Sequence, residues 1–182
     1  MGKMRTVPRQ VIITLIVAIA IFFALRATIQ TSVIVGPSME PGLQAGERIF
    51  VNKVIYKLHE PERGDVIVFR PPNSPQEEYI KRLIAFPGEE VEIKEGKVYI
   101  YQNGDVLLLD EHSYVESFAN YTFPKQQVPE NSYFVLGDNR NSSNDSHNGW
   151  TVPYPNVVGK AWLLIWPPGE WGTISNYSLP QG

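Results

Sequence analysis

The chain opens on one apolar block and then changes its period. Val11 to Leu25 runs for 15 residues without a charge, and Thr14 is its only polar member. As a helix rising about 1.5 Å per residue, that block is short for a bilayer core of roughly 30 Å. Ala27, Thr28 and Ile29 extend it, with Arg26 reaching toward the headgroups. The alternative is a cleaved signal peptide, whose apolar region spans about 7 to 15 residues. Ala24-Leu25-Arg26 argues against cleavage, because it puts arginine where a small-x-small site needs a small residue. The pattern therefore predicts an uncleaved transmembrane anchor over 11–29. Lys3, Arg5 and Arg9 precede it, so the positive-inside rule puts a tail of residues 1–10 in the cytoplasm. Residues 30–182 then form an extracytoplasmic domain on a single-pass cell-membrane protein.

Beyond the anchor the apolar residues fall into the short runs of strands. Arg48 to Ile55 is rich in β-formers, and Asp65-Val66-Ile67-Val68-Phe69 has the length of a buried strand. Arg63-Gly64-Asp65 spells an adhesion tripeptide, but a glycine turn feeding the next strand explains it better. Pro71 to Glu78 is a polar loop, Tyr79 to Phe86 the next strand, and Pro87-Gly88 its stop. Val91 to Lys94 alternates and turns at Glu95-Gly96. Lys97 to Tyr101 then runs to Asn103-Gly104, the strongest hairpin signal in the chain. Asp110 to Glu130 is irregular and aromatic and reads as a flap, making about 96–130 a small insert. Tyr133 to Leu136 and Val157 to Ile165 complete the strands. Trp162, Trp166 and Trp171 come close together, as interface or as core residues. The expected fold is mainly β: an antiparallel β-sheet domain with a small β insert, behind one N-terminal transmembrane helix.

Charge sharpens this picture. The net charge of −3 hides an asymmetry, because no acid precedes Glu40. Setting aside Lys3, Arg5, Arg9 and Arg26, the chain carries 12 basic against 19 acidic residues, a net of −7. A body of that sign is a poor nucleic-acid binder, so no nucleic-acid partner is expected. The absence of Cys removes disulfides, thiol nucleophiles and Cys-ligated zinc. No metal and no other cofactor is expected.

Candidate chemistry starts at Val35-Gly36-Pro37-Ser38-Met39-Glu40-Pro41-Gly42-Leu43, where a chain leaving a membrane first meets water. Gly36-Pro37 and Pro41-Gly42 bend the backbone on either side of Ser38, which aims its hydroxyl and its N–H. Taken alone, this is equally a turn capped by a serine. A serine hydroxyl becomes a nucleophile when a neighbouring base takes its proton. Lysine can be that base if burial lowers its pKa from about 10.4 toward 7–8. Lys81 shares a strand face with Tyr79, Leu83 and Ala85, an apolar setting that disfavours the charged form. Arg82 shares the other face with Ile80 and Ile84, so alternation alone does not single out Lys81, and a guanidinium does not deprotonate.

Three stretches stand together in this order: the Ser38 loop, the strand Tyr79 to Glu89, and the loop Gly137-Asp138-Asn139-Arg140-Asn141-Ser142-Ser143-Asn144-Asp145-Ser146-His147. Behind an N-terminal anchor they resemble the boxes of type I signal peptidases, the bacterial leader peptidase family with a serine–lysine dyad. The resemblance covers most of 33–166, including Glu62-Arg63-Gly64-Asp65-Val66. It implies a membrane-anchored serine endopeptidase that removes signal peptides from secreted preproteins, its partners being those preproteins and the lipid bilayer. It also implies Ser38 as nucleophile, Lys81 as general base, and Ser143 as the serine that hydrogen-bonds and orients the lysine. The oxyanion falls to the Ser38 N–H, plus in some members a serine hydroxyl where this chain has Gly36. Ile34, Val35, Gly36, Met39, Leu43, Tyr79 and Ile80 match substrate-binding positions, although core packing explains the side chains among them as well. Asp138, Arg140, Asp145 and His147 match positions that tie the loop to the body. His147 departs from the arginine that many members pair with the equivalent of Asp145. Spaced two apart on an extended loop, His147 and Asp145 would form an ion pair only while the imidazole is protonated.

Other functions remain to be separated from this one. A histidine-based serine protease would use His59, His112 or His147 with Asp145. An anchored β-rich binding module would need no base at all. A serine–lysine self-cleaving repressor is disfavoured by the anchor and by the lack of a DNA-binding module.

Overall fold

The computed structural model describes residues 8–175; Lys3 and Arg5, on which the expected orientation partly rests, lie outside them. Pro8 precedes α1 (Arg9–Thr28), whose 20 residues contain no interior Gly or Pro and span about 30 Å. The helix is long and apolar enough to cross a membrane, with a mean hydropathy of 2.5 and no burial against the rest of the chain. It stops where Ile29 turns extended while its N–H still bonds the Leu25 carbonyl. Ile29 is therefore the first residue of a strand and not the last of the helix.

Eleven further strands follow β1 (Ile29–Val33). They are β2 (Arg48–Asn52), β3 (Val66–Phe69), β4 (Tyr79–Ala85), β5 (Glu90–Lys94), β6 (Lys97–Gln102) and β7 (Asp105–Leu108). Then come β8 (Phe123–Gln127), β9 (Ser132–Leu136), β10 (Val152–Pro153), β11 (Val157–Trp166) and β12 (Gly172–Thr173). The main sheet runs β1-β2-β11-β3-β4-β9-β10, with β12 beside β11, and a second sheet runs β7-β6-β5-β8. Every pairing is antiparallel. The expected mainly β architecture is what forms, and the second sheet starts at Glu90, ahead of residue 96.

Burial follows from the layers. β3 and β9 are buried at every position because both faces of the main sheet are covered. In β5 and β6 only alternate residues are buried: Val91 and Ile93 face Val98 and Ile100 across the pair and pack on Ile84 and Leu136 of the main sheet. Both connections of β6 are tight turns with positive φ at two residues, Glu95-Gly96 and Asn103-Gly104, the geometry a two-residue hairpin needs. β8 was not expected, since Phe123-Pro124-Lys125-Gln126-Gln127 has one buried side chain and no alternation; its pairing with β5 makes it a strand. Trp162, Trp166 and Trp171 are 47%, 52% and 69% exposed, so core packing does not explain them.

The Arg63-Gly64-Asp65 turn is buried and cannot be an adhesion face. Arg63 forks onto Glu89 at 2.7 and 2.9 Å and donates to the Ile84 carbonyl. Asp65 accepts from Tyr56 at 2.8 Å and pairs with Lys160. Glu89→Ala would leave Arg63 charged, buried and unpaired, and should cost about 3–5 kcal/mol. Arg70→Ala breaks a 3.7 Å pair in which the arginine is 58% exposed, and should cost under about 1 kcal/mol. Urea unfolding in detergent measures both, and equal costs would contradict a clamping role for Arg63–Glu89.

Candidate active site

The loop that carries Ser38 is built by its own sequence. Gly36 takes φ +82°, a conformation that side chains resist, and the Glu40 N–H closes a turn on the Pro37 carbonyl. Hydrogen bonds from Ile34 N–H to Glu47 O and from Gly46 N–H to Ile34 O pinch the base of the loop. From beneath, Met39 and Leu43 are 1% and 4% exposed and sit in a core cluster with Ile49, Val66 and Ile80. Ser38 is left half-exposed between these anchors. Its N–H meets no acceptor among the described residues, while its carbonyl accepts from the Asn139 N–H at 3.1 Å.

Lys81 comes to this hydroxyl from the middle of β4. Its Nζ lies 2.7 Å from Ser38 Oγ and donates to its neighbour's carbonyl, Ile80 O, at 2.8 Å. The side chain is almost entirely enclosed, the residue being 3% exposed. Burial pulls its pKa down to about 8, against the carboxylates of Asp145 and then Asp138, which pull it up. A lysine with that value is substantially neutral in mildly alkaline solution and can accept a proton from the hydroxyl it touches.

The loop after β9 closes the site from the side. Gly137 has no room for a side chain: a Cβ would stand 2.3 Å from Ser143 Oγ and 2.5 Å from the Ser38 carbonyl. Ser143 is therefore beside the pair, but the expected hydrogen bond to Lys81 is not made. Lys81 turns back to its own strand instead, and Ser143 Oγ is buried with no hydrogen-bond partner. Asp138 accepts two bonds from Arg82. Arg140 forks onto Glu111 and donates to the Gly137 carbonyl at 3.0 Å. Through these bonds Asp138 and Arg140 join the loop to β4 and to Glu111. Their partners Arg82 and Glu111 were not singled out in the sequence, because they lie 56 and 29 residues away.

His147 holds Asp145, though not on an extended loop. Asp145 caps the short turn Ser146–Asn148, accepting the His147 N–H at 3.2 Å, and the same oxygen lies 2.7 Å from His147 Nδ1. A neutral imidazole protonated on Nδ1 makes that bond as an imidazolium does, so the contact does not require the charge. The other Asp145 oxygen accepts the Gly137 N–H at 2.9 Å.

A cleft of about 690 Å³ opens onto Ser38 and Lys81. Ile34, Val35, Tyr79 and Ile80 line it. Met39 and Leu43 do not; they face the core under the loop, and Gly36 shapes the bend. Sequence reading missed the polar wall made by Gln30, Ser32, Glu78 and Asn144. Gln30 Nε2 reaches Glu78 at 2.8 Å across the cleft, a contact that depends on β1 being a strand. Among the described residues no histidine bonds Ser38: His147 is engaged with Asp145, and His112 meets the Phe118 ring edge-on.

The family model for signal peptidase, peptidase S26, matches residues 8–166. The chain belongs to the peptidase S26 signal peptidase family. This peptidase is 36% identical over 173 residues to a probable signal peptidase I of Synechocystis, covering 91% of this chain and 86% of that one. It is 36% identical over 162 residues to signal peptidase I of Bacillus amyloliquefaciens, covering 84% and 82%. A crystal structure of a signal peptidase I from Enterococcus faecalis is 35% identical, covering 56% of this chain and 97% of its own at a TM-score of 0.44.

In this S26 peptidase Gly137→Ala should push the Ser38 loop out of line. A displacement of about 1 Å is worth roughly a 100-fold loss in kcat. Steady-state cleavage of a peptide substrate checks it, and wild-type kcat would mean that Gly137 does not position Ser38.

Proposed function

We propose that the chain is a membrane-anchored signal peptidase I that cuts signal peptides from secreted preproteins, with Ser38 as nucleophile and Lys81 as general base. The 2.7 Å contact between Ser38 Oγ and the buried Lys81 Nζ carries this reading. Neutral Lys81 takes the Ser38 proton as Oγ attacks the scissile carbonyl, and the free Ser38 N–H is placed to receive the oxyanion. Gly36 supplies no hydroxyl there, so any second donor is a backbone N–H. Lys81 then passes its proton to the leaving amine, and it activates the water that hydrolyses the acyl-enzyme. Ser143, with a hydroxyl unpaired in the resting site, supports Lys81 once the lysine turns toward it during the reaction. The substrate lies extended in the cleft, its small side chains near the cut meeting Ile34, Val35, Tyr79 and Ile80.

Helix α1 serves as the anchor of a single-pass protein, with the N-terminus in the cytoplasm and the β domain outside. Its length and hydropathy, and the basic residues before it, support that reading.

Ser38→Ala and Lys81→Ala should each lower preprotein cleavage by on the order of 10⁴ or more. Lys81→Arg should not rescue it, because arginine stays charged. Since the neutral lysine is the active form, wild-type kcat/KM should rise roughly tenfold per unit below the Lys81 value of about 8 and level off above it. Substantial cleavage by Lys81→Arg would refute the dyad. Protease added to sealed spheroplasts should digest the β domain and spare the N-terminus; a body protected until lysis would reverse the proposed orientation.

A further inference from the structure

We infer that His147, acting through Asp145, sets the pH at which Lys81 gives up its proton. The inference rests on Lys81 being the general base. Asp145 has no solvent exposure, and both its oxygens are engaged, one by the Gly137 N–H and the other by His147. The Gly137 that donates to Asp145 packs its bare face on the Ser38 carbonyl and on Ser143, and Ser38 in turn touches Lys81, so the carboxylate lies one layer from the lysine; its charge bears on Lys81 ahead of that of Asp138. Asp138 is bound by Arg82, and Glu111 is bound by Arg140. Both guanidinium groups thus have other partners, and the side chain in contact with Asp145 is the His147 imidazole.

The setting of His147 suits that task. Its ring stacks on Tyr121, with centroids 4.1 Å apart and planes 20° from parallel, which fixes Nδ1 toward Asp145. The Tyr121 hydroxyl is pushed up by burial and then by the Asp145 charge, so it stays neutral. The His147 side chain keeps 19% exposure. An imidazolium cancels the Asp145 charge. A neutral imidazole keeps the hydrogen bond but leaves the Asp145 charge uncancelled, which favours the Lys81 ammonium. Arginine would cancel that charge at every pH. His147 is thus a positioning residue that works on the base through Asp145 without touching it.

The experiment is kcat/KM against pH for the detergent-solubilised full chain, cleaving a peptide that spans a signal-peptide junction. Wild type is compared with His147→Arg, His147→Lys and His147→Gln, and melting temperatures are recorded in parallel. A permanent cation should lower the midpoint of the acid limb by roughly half to one pH unit. Glutamine, which donates without charge, should leave it at or above the wild-type position. The midpoint does not depend on the fraction of active enzyme, so a partly destabilised variant still reports, and lysine supplies the charge if arginine does not fit. Coincident midpoints, whatever the amplitudes or melting temperatures, would reduce His147 to a structural prop and overturn the inference. A wild-type profile without an acid limb, or an active Lys81→Arg, would instead remove Lys81 as base, and the inference with it.

Discussion

A lysine that is 3% exposed has lost most of the hydration that keeps an ammonium charged, and an unpaired buried charge costs several kcal/mol. Near neutral pH the chain tolerates this only because the lysine can become neutral and because a hydroxyl and a carbonyl receive its hydrogens. Those two acceptors must stay within about 3 Å. The positive φ at Gly36, the Met39 and Leu43 side chains driven into the core, and the bare face of Gly137 all hold Ser38 at that distance. The apolar strands around Lys81 supply the low-polarity setting, and the turns supply the aim.

Charges elsewhere in the body are handled differently. Arg63 with Glu89, Arg82 with Asp138, and Arg140 with Glu111 are buried pairs in which each guanidinium meets its carboxylate at 2.7 Å or less. Forked pairing of this kind localises each charge and fixes the segments it joins. Tyr114 lies beneath both Arg82 and Arg140, 4.4 and 6.0 Å from its ring centre, and so joins two of the pairs into one layer. Asp145 has no guanidinium partner, being held by His147 and the Gly137 N–H, and it is the carboxylate that bears most on Lys81.

Much of this was readable in the chain because it is local. The apolar block announces α1, alternation announces β5 and β6, and Asn103-Gly104 announces their hairpin partner β7. Ser38 and Lys81 were legible through the stretches that carry them. What was not legible depends on pairing across distance. Ile29 reads as the end of the apolar block and Gln30 to Val33 as part of no element, and only their register against β2 makes them a strand and a wall of the cleft. β8 exists because β5 has a free edge. Met39 and Leu43 were equally suited to a cleft wall or to the core, and the direction of the turn decided for the core. The Ser143 hydroxyl was expected on Lys81, but a lysine long enough to fold back onto its own strand took the Ile80 carbonyl instead.

The central claim is that Lys81 exchanges its proton near neutrality because it is buried against Ser38. Carbon-13 NMR of chains labelled at lysine Cε, titrated in detergent with Lys81→Met to assign the signal, measures that proton directly. The structure predicts that Lys81 titrates near pH 8, well below the unperturbed value. A Lys81 signal that titrates together with the surface lysines, above about pH 10, would contradict it.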